Sequence, residues 1–357
     1  MKHIVVVGDS FNDVNKKSET YPYNEFQKFD LNDLLTGGTL KLPTLISLDI
    51  FNQKLSQEIT VHILGKGSAG NHYISEALFR KVNEIRSNYQ DDEIFAIIQL
   101  TALFRNDENM SKNITEIDVE KYKYDYYDLG GNLDYKILRE NYHRQLDNIE
   151  NIDLFCKKNK VTSLIFFGWA TIFDSDVQTF KLDDRIEKIK EIVTFFPYDK
   201  NLDEMENYCS GYKFSKKIGD NKNLYEVGPN YFGGMTDYIR TFVEIGERYI
   251  MSYDPHLTSK SNVIFYDKII KPWLISKNLL VDKSLDDKVL EKIKFIFDLE
   301  KIKYDVFYES KREDFPKIRE LTRHLLYSNI FDLKMIEDNF KSFMIELENN
   351  YIYNKTI

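Results

Sequence analysis

Ile4-Val5-Val6-Val7-Gly8-Asp9-Ser10 runs from four consecutive β-branched apolar residues into three that favour turns. An apolar run without polar alternation fits a strand buried on both faces, as in a parallel sheet, and the Gly-Asp-Ser triplet ends it. The same pattern recurs downstream. Ile59 to Leu64 reads as a second strand that runs into Gly65-Lys66-Gly67-Ser68-Ala69-Gly70-Asn71, followed by an amphipathic helix from near His72. Ile94 to Leu100 is a third strand, Tyr135 to Lys160 a helix, and Val161 to Gly168 a fourth strand before Trp169. Glu191 to Phe196 is either a fifth strand or the end of a helix. Alternating strands and helices predict an α/β fold with a parallel sheet covered on both faces. In such sheets ligands bind beyond the carboxyl ends of the strands, where Ser10, Gly67 and Thr101 would all fall.

A serine hydroxyl becomes a useful nucleophile only when an imidazole takes its proton and a carboxylate orients that imidazole. Candidate partners stand far downstream in Asp254-Pro255-His256-Leu257, ahead of an apolar-periodic stretch from Val263 to Leu274 that closes on Lys271-Pro272-Trp273-Leu274. A lone Gly-Asp-Ser is ordinary turn chemistry. Its position after an apolar strand, with a glycine-rich turn and a late Asp-His pair in the same chain, raises the catalytic reading above the structural one. His3, His62, His72, His143 and His324 read as strand, cap or helix-surface residues, with His72 the one placed to line a pocket.

These blocks resemble those of the SGNH (GDSL-type) hydrolases over residues 1 to about 275. The resemblance implies a flavodoxin-like three-layer α/β/α fold and a Ser10, Asp254, His256 triad. It also implies an oxyanion hole built from the Ser10 amide and the glycine block, with Gly67 preferred over Gly70. Asp9, Asn71, His72 and Arg105 flank these blocks and are candidate substrate contacts. Two departures stand out. Where the family has Gly-x-Asn-Asp, this chain has Thr101-Ala102-Leu103-Phe104-Arg105, and Asn106-Asp107 follows late. Either Thr101 replaces the usual side-chain donor, or Asn106 folds back, or that donor is missing. Where the family has Asp-x-x-His, this chain has Asp254-Pro255-His256, with Pro255 biasing Asp254 toward extended backbone.

The resemblance implies a serine esterase that removes a short acyl group, acetyl first, from a carbohydrate through an acyl-enzyme and without a cofactor. Two alternatives stay open: an O-acyltransferase using the same triad on a glycan, and a glycan-binding or structural module with a degenerate site. Gly8-Asp9-Ser10-Phe11-Asn12-Asp13 also resembles the magnesium-holding loop of haloacid-dehalogenase-type phosphatases. Those enzymes need a nucleophilic aspartate upstream, and seven residues leave no room for it. Cys156 and Cys209 are too few and too far apart for a zinc cluster, and no His-Glu-x-x-His occurs.

With 357 residues and 42% apolar content, the chain suffices for one large domain, residues 1–275, plus an appendage. The polar, tyrosine-rich 109–134 and the irregular 197–234 read as insertions near the site. From 276 to 357 the pattern turns to charged, helix-period segments at Leu285 to Leu299, Phe315 to Tyr327 and Leu333 to Glu348. This helical extension is a candidate homo-oligomer surface or an extra packing layer. A net charge of −9, from 49 basic and 58 acidic residues, argues against nucleic-acid and anionic-membrane partners. No secretory leader pattern or membrane-length apolar run appears, and two cysteines suggest no disulfide framework. The expectation is a cytoplasmic protein, although a virion protein or one exported without a cleaved leader would have the same composition.

Overall fold

The structure is a computed structural model that describes residues 1–8, 40–65, 70–101, 135–168, 183–196, 233–251, 254–308, 310, 314–327 and 332–355. These residues fall into two compact units, one from Met1–Tyr21 and Gln57–Thr241, the other from Pro22–Ser56 and Phe242–Ile357.

The first unit is built on a parallel sheet of β1 (Lys2–Gly8), β2 (Ile59–Gly65), β3 (Glu93–Leu100) and β4 (Val161–Phe167) in the order β2-β1-β3-β4. Beyond β4, Thr194 forms a single parallel bridge to Phe166, its N–H donating to Ile165 O at 2.7 Å. The Glu191–Phe196 stretch is therefore both of its sequence alternatives, a helix end and a one-residue continuation of the sheet. This is the strand order of flavodoxin-like α/β folds.

Three helices bridge successive strands. Here α2 (Asn71–Asn88) links β2 to β3, α3 (Tyr135–Lys158) links β3 to β4, and α4 (Asp183–Ile192) precedes the Thr194 bridge. They pack on one sheet face, where Val5, Val7, Ala96, Ile98 and Ile165 meet Ile74, Leu78, Val82 and Ile85 of α2 and Leu146, Ile149 and Ile152 of α3. Those helical positions recur at three and four residues, which is why α2 and α3 present one apolar stripe. Phe79 and Phe155 stack between the two helices with ring centroids 4.2 Å apart. The residues on the other face, Ile4, Val6, Val61, Ile63, Phe95, Ile97, Leu164 and Phe166, are buried as well. Burial on both faces explains the unbroken apolar run in β1.

At the amino end of the strands the burial is polar. His3 Nε2 meets Asp92 Oδ2 at 2.9 Å and His3 Nδ1 meets His62 Nε2 at 3.0 Å, with the imidazoles stacked. A carboxylate only accepts, so His3 donates from Nε2; with His3 neutral, His62 then donates from its own Nε2. Burial foremost, then the charges of His3 and Lys81, push the His62 pKa down to about 4. Glu84, ion-paired with Lys81 at 2.6 Å, opposes this.

The second unit holds a helix not anticipated from the sequence, α1 (Leu42–Asn52), started by Pro43 in its first turn. Residues 42–50 are all buried, so α1 has no polar face to give it a helical period. It is tied to later elements of its own unit by specific bonds. The further elements of the chain are α5 (Met235–Arg240, in the first unit), α6 (Ile245–Arg248), β5 (Tyr249–Met251), β6 (Asp254–Leu257), α7 (Ser259–Phe265), a π-helical turn (Tyr266–Ile270) and α8 (Lys271–Ser276). Three long helices follow, α9 (Asp287–Phe307), α10 (Phe315–Tyr327) and α11 (Leu333–Lys355), close to the expected helical extension. The π-turn stands just before Pro272, which cannot donate the backbone bond a regular helix would require there.

Within the second unit, Asp49 of α1 is fully buried and accepts from the Tyr266 hydroxyl at 2.6 Å and from Lys271 Nζ at 3.1 Å. Burial, reinforced by Asp49, holds the Tyr266 phenol well above its usual pKa, so it stays a donor. Gln53 and Val281 exchange two hydrogen bonds, and Leu40 N–H donates to Ser259 Oγ at 2.7 Å. Glu300 in turn accepts from both the Ser259 amide and hydroxyl at 2.7 Å, capping α7, while burial raises its carboxyl above the usual range.

Two outcomes test these buried polar contacts. The unfolded His62 takes up a proton near 6.5 and the folded one only near 4, so stability drains away as pH falls through that window. The loss from this group reaches about 3 kcal/mol by its lower end; urea midpoints at a series of pH values should show a shallower acid slope in His62→Gln than in the parent chain. Asp49→Ala strands a buried ammonium and phenol and should cost about 3 kcal/mol in urea unfolding, whereas Asp49→Asn, which keeps an acceptor for Tyr266, should cost less.

Candidate active site at the carboxyl rim of the sheet

The chain leaves β1 toward β2 on one side while β3 flanks it on the other, so the carboxyl end of β1 lies at the point where strand order reverses. Crevices form at such points because the connections diverge to either side. The last paired residues are Gly8 with Gly65, Val7 with Ile98, and Leu100 with Phe167. The described rim therefore comprises the ends of all four strands with the residues immediately after them, Thr101 and Gly168.

Thr101 is fully buried, and its backbone N–H and C=O are both bonded by one side chain. Asn71, the first residue of α2 and also fully buried, donates from Nδ2 to Thr101 O at 3.1 Å and accepts at Oδ1 from Thr101 N–H at 2.8 Å. The local reason is the helix start. Gly70 caps α2 in extended conformation without a side-chain bond, and an amide side chain in the first turn is free to reach the neighbouring strand end. The Thr101 hydroxyl, buried with them, has no hydrogen-bond partner among the described residues. A buried hydroxyl left in that state costs about 1–3 kcal/mol.

The rest of the described rim is polar too. Gln99 is fully buried at the end of β3, and its side chain crosses the Cα of Gly168: a Cβ on Gly168 would stand 2.2 Å from Gln99 Nε2. Gly168 O accepts from Thr236 N–H at 3.1 Å, which docks α5 on the end of β4. Asp237, also fully buried, accepts from Gly234 N–H at 2.8 Å to cap α5. Neither Gln99 nor Asp237 figures among the sequence candidates. Gln99 carried a usable signal, a polar residue near the end of an otherwise apolar strand, whereas Asp237 sits in a segment whose local sequence marks nothing.

His72 lies on the first turn of α2 and is half-buried, its carbonyl accepting from the Ser75 hydroxyl at 2.7 Å. Asp254 and His256 lie on β6, an antiparallel partner of β5 in which Asp254 pairs with Met251 and Leu257 with Tyr249. β6 belongs to the second unit and β1 to the first. Asp9, Ser10, Gly67, Arg105 and Asn106 lie outside the described residues, as do the insertion 109–134 and all but the last two residues of 197–234. Among the described residues no group of three or more His, Cys, Asp or Glu side chains is arranged to hold a metal ion, and no helix is long and apolar enough to cross a membrane. Cys156 is buried against α2 and α3, and burial pushes its thiol up to about 12, which leaves it inert as a nucleophile.

No family model matches the chain, and neither a curated protein nor a solved structure matches it. The rim is thus read from its own residues. Gly168→Ala should displace the Gln99 side chain and lower stability by about 1–3 kcal/mol; an unchanged urea midpoint in that variant would mean that Gln99 swings aside freely.

Proposed function

We propose that the chain is a serine ester hydrolase of the SGNH type, in which Ser10 attacks an acyl carbonyl and His256 takes its proton. Asp254 holds the imidazole and stabilises the imidazolium, and the amides of Ser10 and Gly67 receive the developing oxyanion. Water then releases the acyl group from Ser10. Resemblance to the family favours a short acyl ester, acetyl first, on a carbohydrate.

One observation carries this reading. In the parallel register, β1 runs beside β2 and β3 at constant offset, with Gly8 opposite Gly65 and Val7 opposite Ile98. Counted along the chain, Ser10 and Gly67 each stand two residues past the Gly8 and Gly65 pair, and Ser10 and Thr101 each stand three past Val7 and Ile98. Three residues chosen from sequence for one chemistry thus follow three adjacent strands at equal distance past their paired ends, at the reversal point where such folds bind ligands.

The test is covalent labelling with a fluorophosphonate, which reports an activated serine without requiring the substrate. Labelling should map to Ser10, vanish in Ser10→Ala and fall at least about 100-fold in rate in His256→Ala, as expected when a general base is removed. A folded sample that takes no label at Ser10 would contradict the proposal.

A further inference from the structure

At the amino end of the sheet, two buried imidazoles join a central strand to the strand at the end of the order. His3 on β1 and His62 on β2 stand diagonally across the parallel ladder, in which Val5 is opposite His62 and Thr60 opposite His3. His3 Nδ1 lies 3.0 Å from His62 Nε2, a contact that is bonded only while one of the two nitrogens keeps its lone pair. Asp92, which also pairs with the Met1 amine, accepts from His3 Nε2 at 2.9 Å. An aspartate is ionised throughout the range in which imidazoles titrate, so His3 keeps Nε2 as its donor and offers Nδ1 to His62.

A proton added to this pair has no comfortable place. His62 faces β1 through His3, and it faces α2 through Lys81 and Glu84. Lys81 is a buried cation, and Glu84, which is exposed, is already ion-paired with it. A first proton, at His62 Nδ1, therefore sets an imidazolium in a buried site beside an ammonium. A second, at His3 Nδ1, leaves no lone pair between the rings. β2 offers the escape. In the order β2-β1-β3-β4 it has β1 as its one strand neighbour among the described residues, whereas β1 and β3 are each paired on both sides. Opening β2 breaks one ladder and brings His62 to water, while opening β1 would break two.

We propose that the His3 and His62 contact is an acid-sensitive latch on the edge of the sheet: proton uptake at His62 parts the rings and raises the population of a state in which β2 has left β1, while β1, β3 and β4 keep their register. The acid loss of stability at His62 is then local before it is global. The latch rests on no assignment at the carboxyl rim, and every group in it belongs to the first unit.

Hydrogen exchange of the full-length chain, read by mass spectrometry and corrected for the intrinsic pH dependence of exchange, follows the two strands separately. A group that titrates near 4 in the closed edge and near 6.5 in water makes opening about 30-fold more frequent at about pH 5 than at about pH 7.5. Peptides within 59–65 should lose protection by that factor, and peptides within 93–100 by less than about threefold. His62→Gln keeps a donor for His3 Nδ1 and does not titrate, so the change in 59–65 should shrink to less than about threefold. Lys81→Met removes the neighbouring cation and should reduce the change seen in the parent chain. Equal loss of protection in the two strands would mean that β2 opens only with the rest of the sheet, and overturns the latch. A His62→Gln chain that keeps the parent's pH dependence overturns it as well. Should the glutamine variant fail to fold, the comparison of the two strands in the parent chain decides alone.

Discussion

Everything in the first unit depends on β1 being a central strand with no solvent face. Its residues Ile4 to Val7 are wholly buried, with parallel neighbours on both edges, so its register is fixed twice over. A slip of one residue would exchange the sets packed on the two faces, turning His3 and its Asp92 and His62 partners away from one another. That double constraint is what gives the sheet a defined carboxyl rim, since strands locked in register end together. The chemistry proposed for Ser10 draws on this: a nucleophile just past such a strand begins from a fixed point, and fixed geometry is the larger part of what a catalytic site needs.

Among the described residues of this sheet, His3, His62, Gln99 and Thr101 are buried polar side chains, and the two ends are organised differently. At the amino end His62, His3 and Asp92 form a hydrogen-bonded chain, in which burial holds the His62 pKa down. At the carboxyl end Asn71 holds the Thr101 N–H and C=O, and the Thr101 hydroxyl is buried without a hydrogen-bond partner among the described residues. In the second unit, Asp49, Tyr266 and Lys271 satisfy one another and are read as structural.

Much of this architecture was legible from pattern alone. Unbroken apolar runs announced β1 and β3, glycines marked where strands stop, and helical spacing announced α2, α3 and the late helices. What pattern missed had physical reasons. The helix α1 is buried all round, so it carries no amphipathic period. The β5 and β6 hairpin consists of strands three and four residues long, too short for alternation to register. Capping by Asp286, whose side chain accepts from Lys288 N–H, starts α9 two residues later than its apolar spacing suggests. At the rim, the glycine-rich turn and the Ser10 motif stand out because turns need special residues. The pairing of Asn71 with Thr101 does not, because the two are thirty positions apart in sequence and only the fold aligns them.

The account stands on Ser10 and His256 meeting across 246 positions of the 357-residue sequence. In a Cys156→Ser, Cys209→Ser background, Ser10→Cys and His256→Cys together supply two thiols for dibromobimane, a reagent that fluoresces strongly only when it bridges a close pair. The account predicts bridging in the folded protein, mapped by mass spectrometry to residues 10 and 256, and lost when either cysteine is present alone. A folded double variant in which both thiols react separately and never bridge would contradict it.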